Sequence, residues 1–126
     1  MPSRATVEAF VAQVLRGDHV GAIRDWYHED ATMQENQAPP RVGRDKHVEA
    51  EQRIMGMVKS ISSTCVRPVL VNGDHVVIRW IFHFVWRDGS VTHMEELAWQ
   101  RWEGERIAQE TFFYDPAQRV PQRPKA

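Results

Sequence analysis

An α+β domain, with helices packed on one face of a curved antiparallel sheet, is the fold class this sequence predicts, and two observations predict it. As far as Lys59, apolar side chains recur mainly at helical spacing; from Ile61 onward they alternate, and Asn72-Gly73, Asp88-Gly89 and Glu103-Gly104 punctuate the alternation. Helices first and a hairpin-linked meander afterwards are the order in which helices cover one side of a sheet. Strands this long twist and coil, and a sheet bent round helices leaves a hollow on its concave side. The expected shape is a cone-shaped, curved antiparallel sheet packed on three N-terminal helices.

Each element has its own signal. Val7, Phe10, Val11, Val14 and Leu15 fall on one helical face, and Gly17 stands where that helix stops. Asp18 is placed to cap a second helix with Val20, Ile23, Trp26 and Tyr27 on one side, and Ala31 to Glu35 alternates as a short strand. After the loop containing Pro39 and Pro40, Asp45 is the expected N-cap of a third helix reaching Lys59, with Val48, Met55 and Val58 inward. Four strands follow, over Ile61 to Val71, His75 to Trp86, Ser90 to Trp102 and Arg106 to Tyr114. Pro68 marks the first of them as an edge strand or a bulged one. The span 5–116 reads as the core of a single domain, 1–126, and 117–126 as a polar, Pro-rich tail loosely held.

Composition narrows the function classes. Lys and Arg number 16 against 17 Asp and Glu, for a formal charge of -1 with no basic stripe, so neither nucleic acid nor an anionic membrane is an expected partner. The most apolar run, Val76 to Trp86, is interrupted by Arg79 and His83, so no membrane span is expected, and no signal peptide is read at the N-terminus. Cys65 is the single cysteine, which suits a reducing compartment, and the expected address is cytoplasmic. The six histidines show no HxH or HExxH spacing, Ser62 and Ser63 lack a nucleophile elbow, and no glycine-rich phosphate loop occurs. No metal and no cofactor is therefore expected.

The segment WYHEDATMQENQAPPRVGRD, from Trp26 to Asp45, resembles the pocket-lining stretch of SnoaL-like domains in the nuclear transport factor 2-like superfamily. Helix, helix, strand, Pro-Pro loop, Gly-Arg-Asp and four strands follow the same order from Val7 to Asp115, ending in a family-like FYDP strand terminus. The resemblance implies a cystatin-like α+β roll with a hydrophobic pocket. It does not fix an activity, since the architecture hosts isomerases, cyclases, hydrolases and plain binding modules.

Aligned from Gly43-Arg44-Asp45, the catalytic arginine of the similar limonene epoxide hydrolase falls on Arg79, but its two aspartates fall on Ile81 and Phe112, and its tyrosine and asparagine on Met33 and Glu35. The general base of the similar ketosteroid isomerase matches Glu35, while its oxyanion-hole tyrosine and aspartate fall on Phe10 and Leu97. Glu95 and Glu110 are stand-ins for the acidic residue of the SnoaL cyclases. Neither relative's full catalytic set is present.

If Arg79 faces the hollow, alternation sets Ile81 and His83 beside it, with Glu95, Leu97 and Trp99 on the next strand and Glu110, Phe112 and Tyr114 on the last. Phe10, Met33 and Met55 would close the pocket, and Trp26 belongs either to it or to helix packing. Glu35 is the candidate general base, because an apolar pocket disfavours a carboxylate's charge, and Arg79 its electrostatic partner. The plainer reading makes Arg79 one half of an ion pair with Glu95 or Glu110, and His83 and His93 parts of a hydrogen-bond network.

Trp80, Phe82, Phe84 and Trp86 would then lie on the opposite face, and four large aromatics need cover. Either they are the domain's own core and the face assignment is inverted, or a second copy packs against them to form a homodimer. The functional expectation is a small-molecule enzyme of the isomerase, cyclase or hydratase type acting on an apolar substrate. The competing expectation is a non-catalytic ligand-binding or dimerisation module.

Overall fold

The computed structural model describes residues 1–124. Helices α1 (Arg4–Leu15) and α2 (His19–Trp26) precede strand β1 (Tyr27–Glu35), the short β2 (Arg41–Val42) and helix α3 (Arg44–Met57). Strands β3 (Val58–Asn72), β4 (His75–Trp86), β5 (Val91–Glu103) and β6 (Arg106–Phe113) complete the sheet, and a 3-10 turn, η1 (Pro116–Arg119), follows it.

Local chemistry explains the helix starts. The Ser3 side chain accepts the Thr6 N–H and starts α1, and Asp18 accepts the Gly21 N–H to start α2. Asp45 does not cap α3. That position falls to Gly43, whose φ of 112° is closed to most side chains and lets the chain turn sharply out of the Pro-Pro loop into the helix.

The six strands lie in the order β2-β1-β6-β5-β4-β3. All neighbours are antiparallel except β1 and β6, which run parallel, so the sheet is mixed where the sequence suggested an antiparallel one. β1 is also longer than expected, beginning at Tyr27 and shifting register before Thr32. Pro68 lies on the edge strand β3, within a register shift between Val66 and Leu70, so both expectations for it hold together.

A second shift, between Arg101 and Trp102, gives β6 one extra residue at Ala108. As a result Ile107 and Glu110 are both buried although they stand three positions apart, an offset that puts two side chains on opposite faces of a regular strand. The tail is not loose up to Gln122: its N–H and carbonyl pair with Val91, and the Gln118 side chain accepts the Glu95 N–H.

The core lies between the helices and the concave sheet face. Val7, Phe10 and Val11 of α1 are buried against Val76, Ile78, Trp102 and Ile107, and Phe10 meets the Trp102 and Tyr27 rings edge-on at 6.1 and 6.3 Å. Each such aliphatic side chain stabilises the fold by roughly 1.5–3 kcal/mol. Trp80 and Phe82 belong to this same interior, with Phe84 packed against it.

This reverses the face expected for β4. Arg79 is about half exposed on the outer face, 3.3 Å from Glu95. Trp80, Phe82, Phe84 and Trp86 therefore do not form an outer surface on which a second copy could pack. The physical reason is the size of the competing terms: burying four aromatic rings outweighs anything gained by turning one guanidinium inward, which carries a desolvation cost of its own.

Candidate functional site

A chamber of about 540 Å³ opens between the helices and the concave face of the sheet. Strand alternation supplies one wall: Trp80, Phe82, Phe84 and Trp86 from β4, Thr92, Met94 and Glu96 from β5, and Glu110 and Phe112 from β6. Helix α3 supplies another at i, i+3, i+4 and i+7, with His47, Ala50, Glu51 and Ile54. Phe10, Tyr27 and Met33 close the floor.

Of the residues expected at the site, Phe10, Met33, Glu35, Glu110 and Phe112 line this chamber. Tyr114 stands at its rim and donates a hydrogen bond to Glu35 at 3.3 Å. Arg79, Ile81, His83, Glu95, Leu97 and Trp99 do not line it, because alternation from an outward Arg79 sends them all to the outer face, where Leu97 and Trp99 are exposed. Arg79 and Glu35 thus do not converge. Met55 is not among the α3 side chains that line the chamber, and Trp26 is held by the Gln13 side chain at 2.8 Å as part of helix packing.

Four carboxyl groups line the chamber, and each is treated differently. Glu35, near the mouth, is held by Arg41 at 3.3 Å and faces Arg119 of η1 at 3.9 Å. Glu110 is fully enclosed; Tyr27 Oη–H donates to one oxygen and Gln100 Nε2 to the other at 2.7 Å. Gln100 is itself fixed by the Trp102 indole N–H at 3.0 Å, so a chain of hydrogen bonds runs from Trp102 to Tyr27 through a buried acid. Burial raises Glu110 to about 7, with Gln100 and Tyr27 opposing and Glu35 and Glu51 adding repulsion.

Glu96 is partly buried and lines the chamber, and no hydrogen bond or ion pair engages its carboxyl among the described residues. Burial pushes it up to about 8, reinforced by Glu110, Glu35 and Glu51 and opposed by Arg119. Burial also raises Glu51 on α3, with Glu35 adding and Arg41 opposing. Burial and the negative charge of Glu110 hold the Tyr27 hydroxyl well above the usual phenol range.

His47 Nε2 donates to the Ala31 carbonyl at 2.8 Å, which leaves Nδ1 as an acceptor, buried and without a partner among the described residues. Burial lowers both His47 and His19 toward the neutral form.

Glu51, Glu96, Tyr27, His47, Arg41 and Arg119 were not legible as site residues. A signal for Glu96 was present: it shares its parity on β5 with Ala98 and Gln100, and its cross-strand partner is Trp80. Reading the aromatic face of β4 as the inner one would have found it. Among the described residues no group of three His, Cys, Asp or Glu side chains is placed to hold a metal ion, and no helix is long and apolar enough to cross a membrane.

This arrangement of helices, curved sheet and chamber has known relatives. The profile of the SnoaL-like domain matches residues 7–110. The chain belongs to the SnoaL-like domain family. No curated protein sequence matches this SnoaL-like chain. Solved structures do share its fold. A Mesorhizobium loti protein named as a candidate SnoaL-like polyketide cyclase is 21% identical over 90% of this chain and 100% of that one, with a TM-score of 0.75. A Catenulispora acidiphila protein of ketosteroid isomerase-like fold, solved in complex with trimethylamine, is 19% identical over 92% of this chain and 89% of that one, at 0.74. An LEH-like epoxide hydrolase of M. tuberculosis is 14% identical over 90% of this chain and 83% of that one, at 0.73. Such identities establish a shared NTF2-like fold and leave the chemistry to the chamber.

Proposed function

We propose that this SnoaL-like domain is a small-molecule enzyme that moves a proton on a largely apolar substrate, with Glu96 as general acid and base. The observation that carries this is a carboxyl group facing a largely aromatic chamber with no hydrogen-bond or ion-pair partner among the described residues. A group so placed exchanges its proton near neutral pH, where acid and base forms are both accessible. Glu35 takes a different role from the one expected of it: gripped by Arg41 and facing Arg119, it is an anchor at the mouth. The chamber volume suits a molecule of ordinary metabolite size, and relatives of the same fold are named cyclase and epoxide hydrolase or hold trimethylamine.

The test is hydrogen–deuterium exchange at acidic C–H bonds of a panel of small ketones and amines, followed by NMR in deuterated buffer. Glu96→Gln is expected to slow any catalysed exchange by about 10²- to 10⁴-fold. Undiminished exchange in that variant would remove Glu96 from the mechanism.

A second reading, a binding module without catalysis, draws on the Trp102–Gln100–Glu110–Tyr27 chain, since both Glu110 oxygens are already engaged by protein donors. It expects saturable ligand binding with no exchange. In either reading we propose a homodimer through the outer sheet face, where Leu97, Trp99 and Phe113 are exposed. Light scattering of Trp99→Glu should then show a loss of mass relative to the unmodified chain.

A further inference from the structure

We propose that the chamber's ligand is an organic cation, an apolar body carrying a protonated amine whose N–H groups lie between Glu51 and Glu96. The inference rests on the chamber being the functional site and adds the chemical class of what enters it. Arg41 bonds Glu35, with Arg119 close to it, Tyr27 and Gln100 bond Glu110, and the Trp86 indole bonds Thr92. The carboxyls of Glu51 and Glu96 then have no hydrogen bond or ion pair among the described residues. In the sheet wall the Trp80 indole N–H and the Thr92 hydroxyl, which accepts from Trp86, donate no hydrogen bond to the described residues.

Two unengaged carboxyls in an apolar chamber call for a ligand rich in donors, and a protonated primary amine brings three N–H groups and the opposite charge. An anion would meet the carboxylates at Glu35 and Glu51 and would further disfavour ionisation of Glu96. A neutral alcohol would bring one donor and no charge to favour the carboxylate form of either group.

The aromatic wall fits the same ligand. Trp80 lies directly across the strand pair from Glu96, so an ammonium bonded to that carboxylate stands within reach of an indole face. Trp80 and Phe82 stack at 5.5 Å, and Phe84 and Trp86 at 5.3 Å, forming a continuous apolar surface for the rest of the molecule.

The cation would also arm the base. Around Glu96 stand the carboxyls of Glu35, Glu51 and Glu110, the imidazoles of His19 and His47, which burial drives toward neutrality, and the guanidinium groups of Arg41 and Arg119 committed to Glu35. Among these groups Glu96 holds its proton in the free protein. An ammonium beside it favours the carboxylate, and the proton leaves to the buffer as the ligand enters.

Three probes of one shape decide the matter: benzylammonium, benzyl alcohol and benzoate, titrated near neutral pH against the intact chain by calorimetry, with the chamber tryptophans as a second signal. Benzylammonium is expected to bind at least about tenfold more tightly than the alcohol, with benzoate weakest. Its heat should vary with the ionisation enthalpy of the buffer, reporting proton release. Glu51→Gln and Glu96→Gln should each weaken benzylammonium by about fivefold or more while leaving the alcohol within about twofold, and the retained alcohol affinity would show that the variants are folded. Equal or tighter binding of benzoate or benzyl alcohol, or no binding of any probe at millimolar concentration, would overturn the proposal. Catalysed exchange lost in Glu96→Gln would still stand in that case, so the two readings fail separately.

Discussion

The two faces of β4 obey opposite rules. Its even-numbered side chains, Val76 through Trp86, turn to the helices and the chamber, while Arg79 faces the outer surface with Glu95. Each inward aromatic removes on the order of 150–250 Å² from water. The outward Arg79–Glu95 pair, half in solvent, contributes about 0–1 kcal/mol. A charged residue within an apolar strand therefore does not decide which face is the interior; the summed area of its neighbours does.

That contrast can be broken at several points. The largest effect is expected at Trp80, where Trp80→Ala empties space between sheet and helices and should cost about 3–5 kcal/mol in urea unfolding, against about 1 kcal/mol or less for Trp99→Ala on the outer face of the monomer. Comparable losses from the two would contradict the assignment of faces. Next comes Glu110→Ala, which strands the Tyr27 hydroxyl and the Gln100 amide and should destabilise by roughly 2–4 kcal/mol, with Glu110→Gln recovering part of it.

A smaller effect concerns pH. The folded chain binds protons at Glu96 and Glu110 more tightly than the unfolded chain does, because both groups are raised on folding, to about 8 and about 7. Their contribution is therefore full below the ordinary carboxyl range and is lost as pH rises toward those values. Thermal melts between pH 5 and pH 8 should show falling stability. Glu96→Gln should flatten that fall, gaining on the order of 1–2 kcal/mol over the unmodified chain at pH 8 and little at pH 5. The smallest change is expected at Arg79→Ala, within about 0.5 kcal/mol by the same melts.

What was legible in the sequence follows the same division. Element order, the three helices and the hairpins at Asn72-Gly73, Asp88-Gly89 and Glu103-Gly104 could be read because periodicity and turn chemistry are local. The parallel pairing of β1 with β6 could not, since it joins segments about 80 residues apart and leaves no local mark. The site was half legible. Glu35, Glu110 and Phe112 were placed on the right elements, but one parity choice at Arg79 carried Ile81, His83, Glu95, Leu97 and Trp99 to the wrong side together. Glu51 and His47 were hidden because polar residues blur the inward stripe of α3, and Arg119 because the tail was read as loose.

The extra residue at Ala108 has a consequence for how this domain can change over evolutionary time. By resetting the phase of β6 it lets a single strand plug the core with Ile107 and furnish the chamber with Glu110. Substitutions on that strand can be absorbed one at a time. Deleting a single codon there would rotate either the plug or the acid out of place, so length at this point should be far less free to drift than identity.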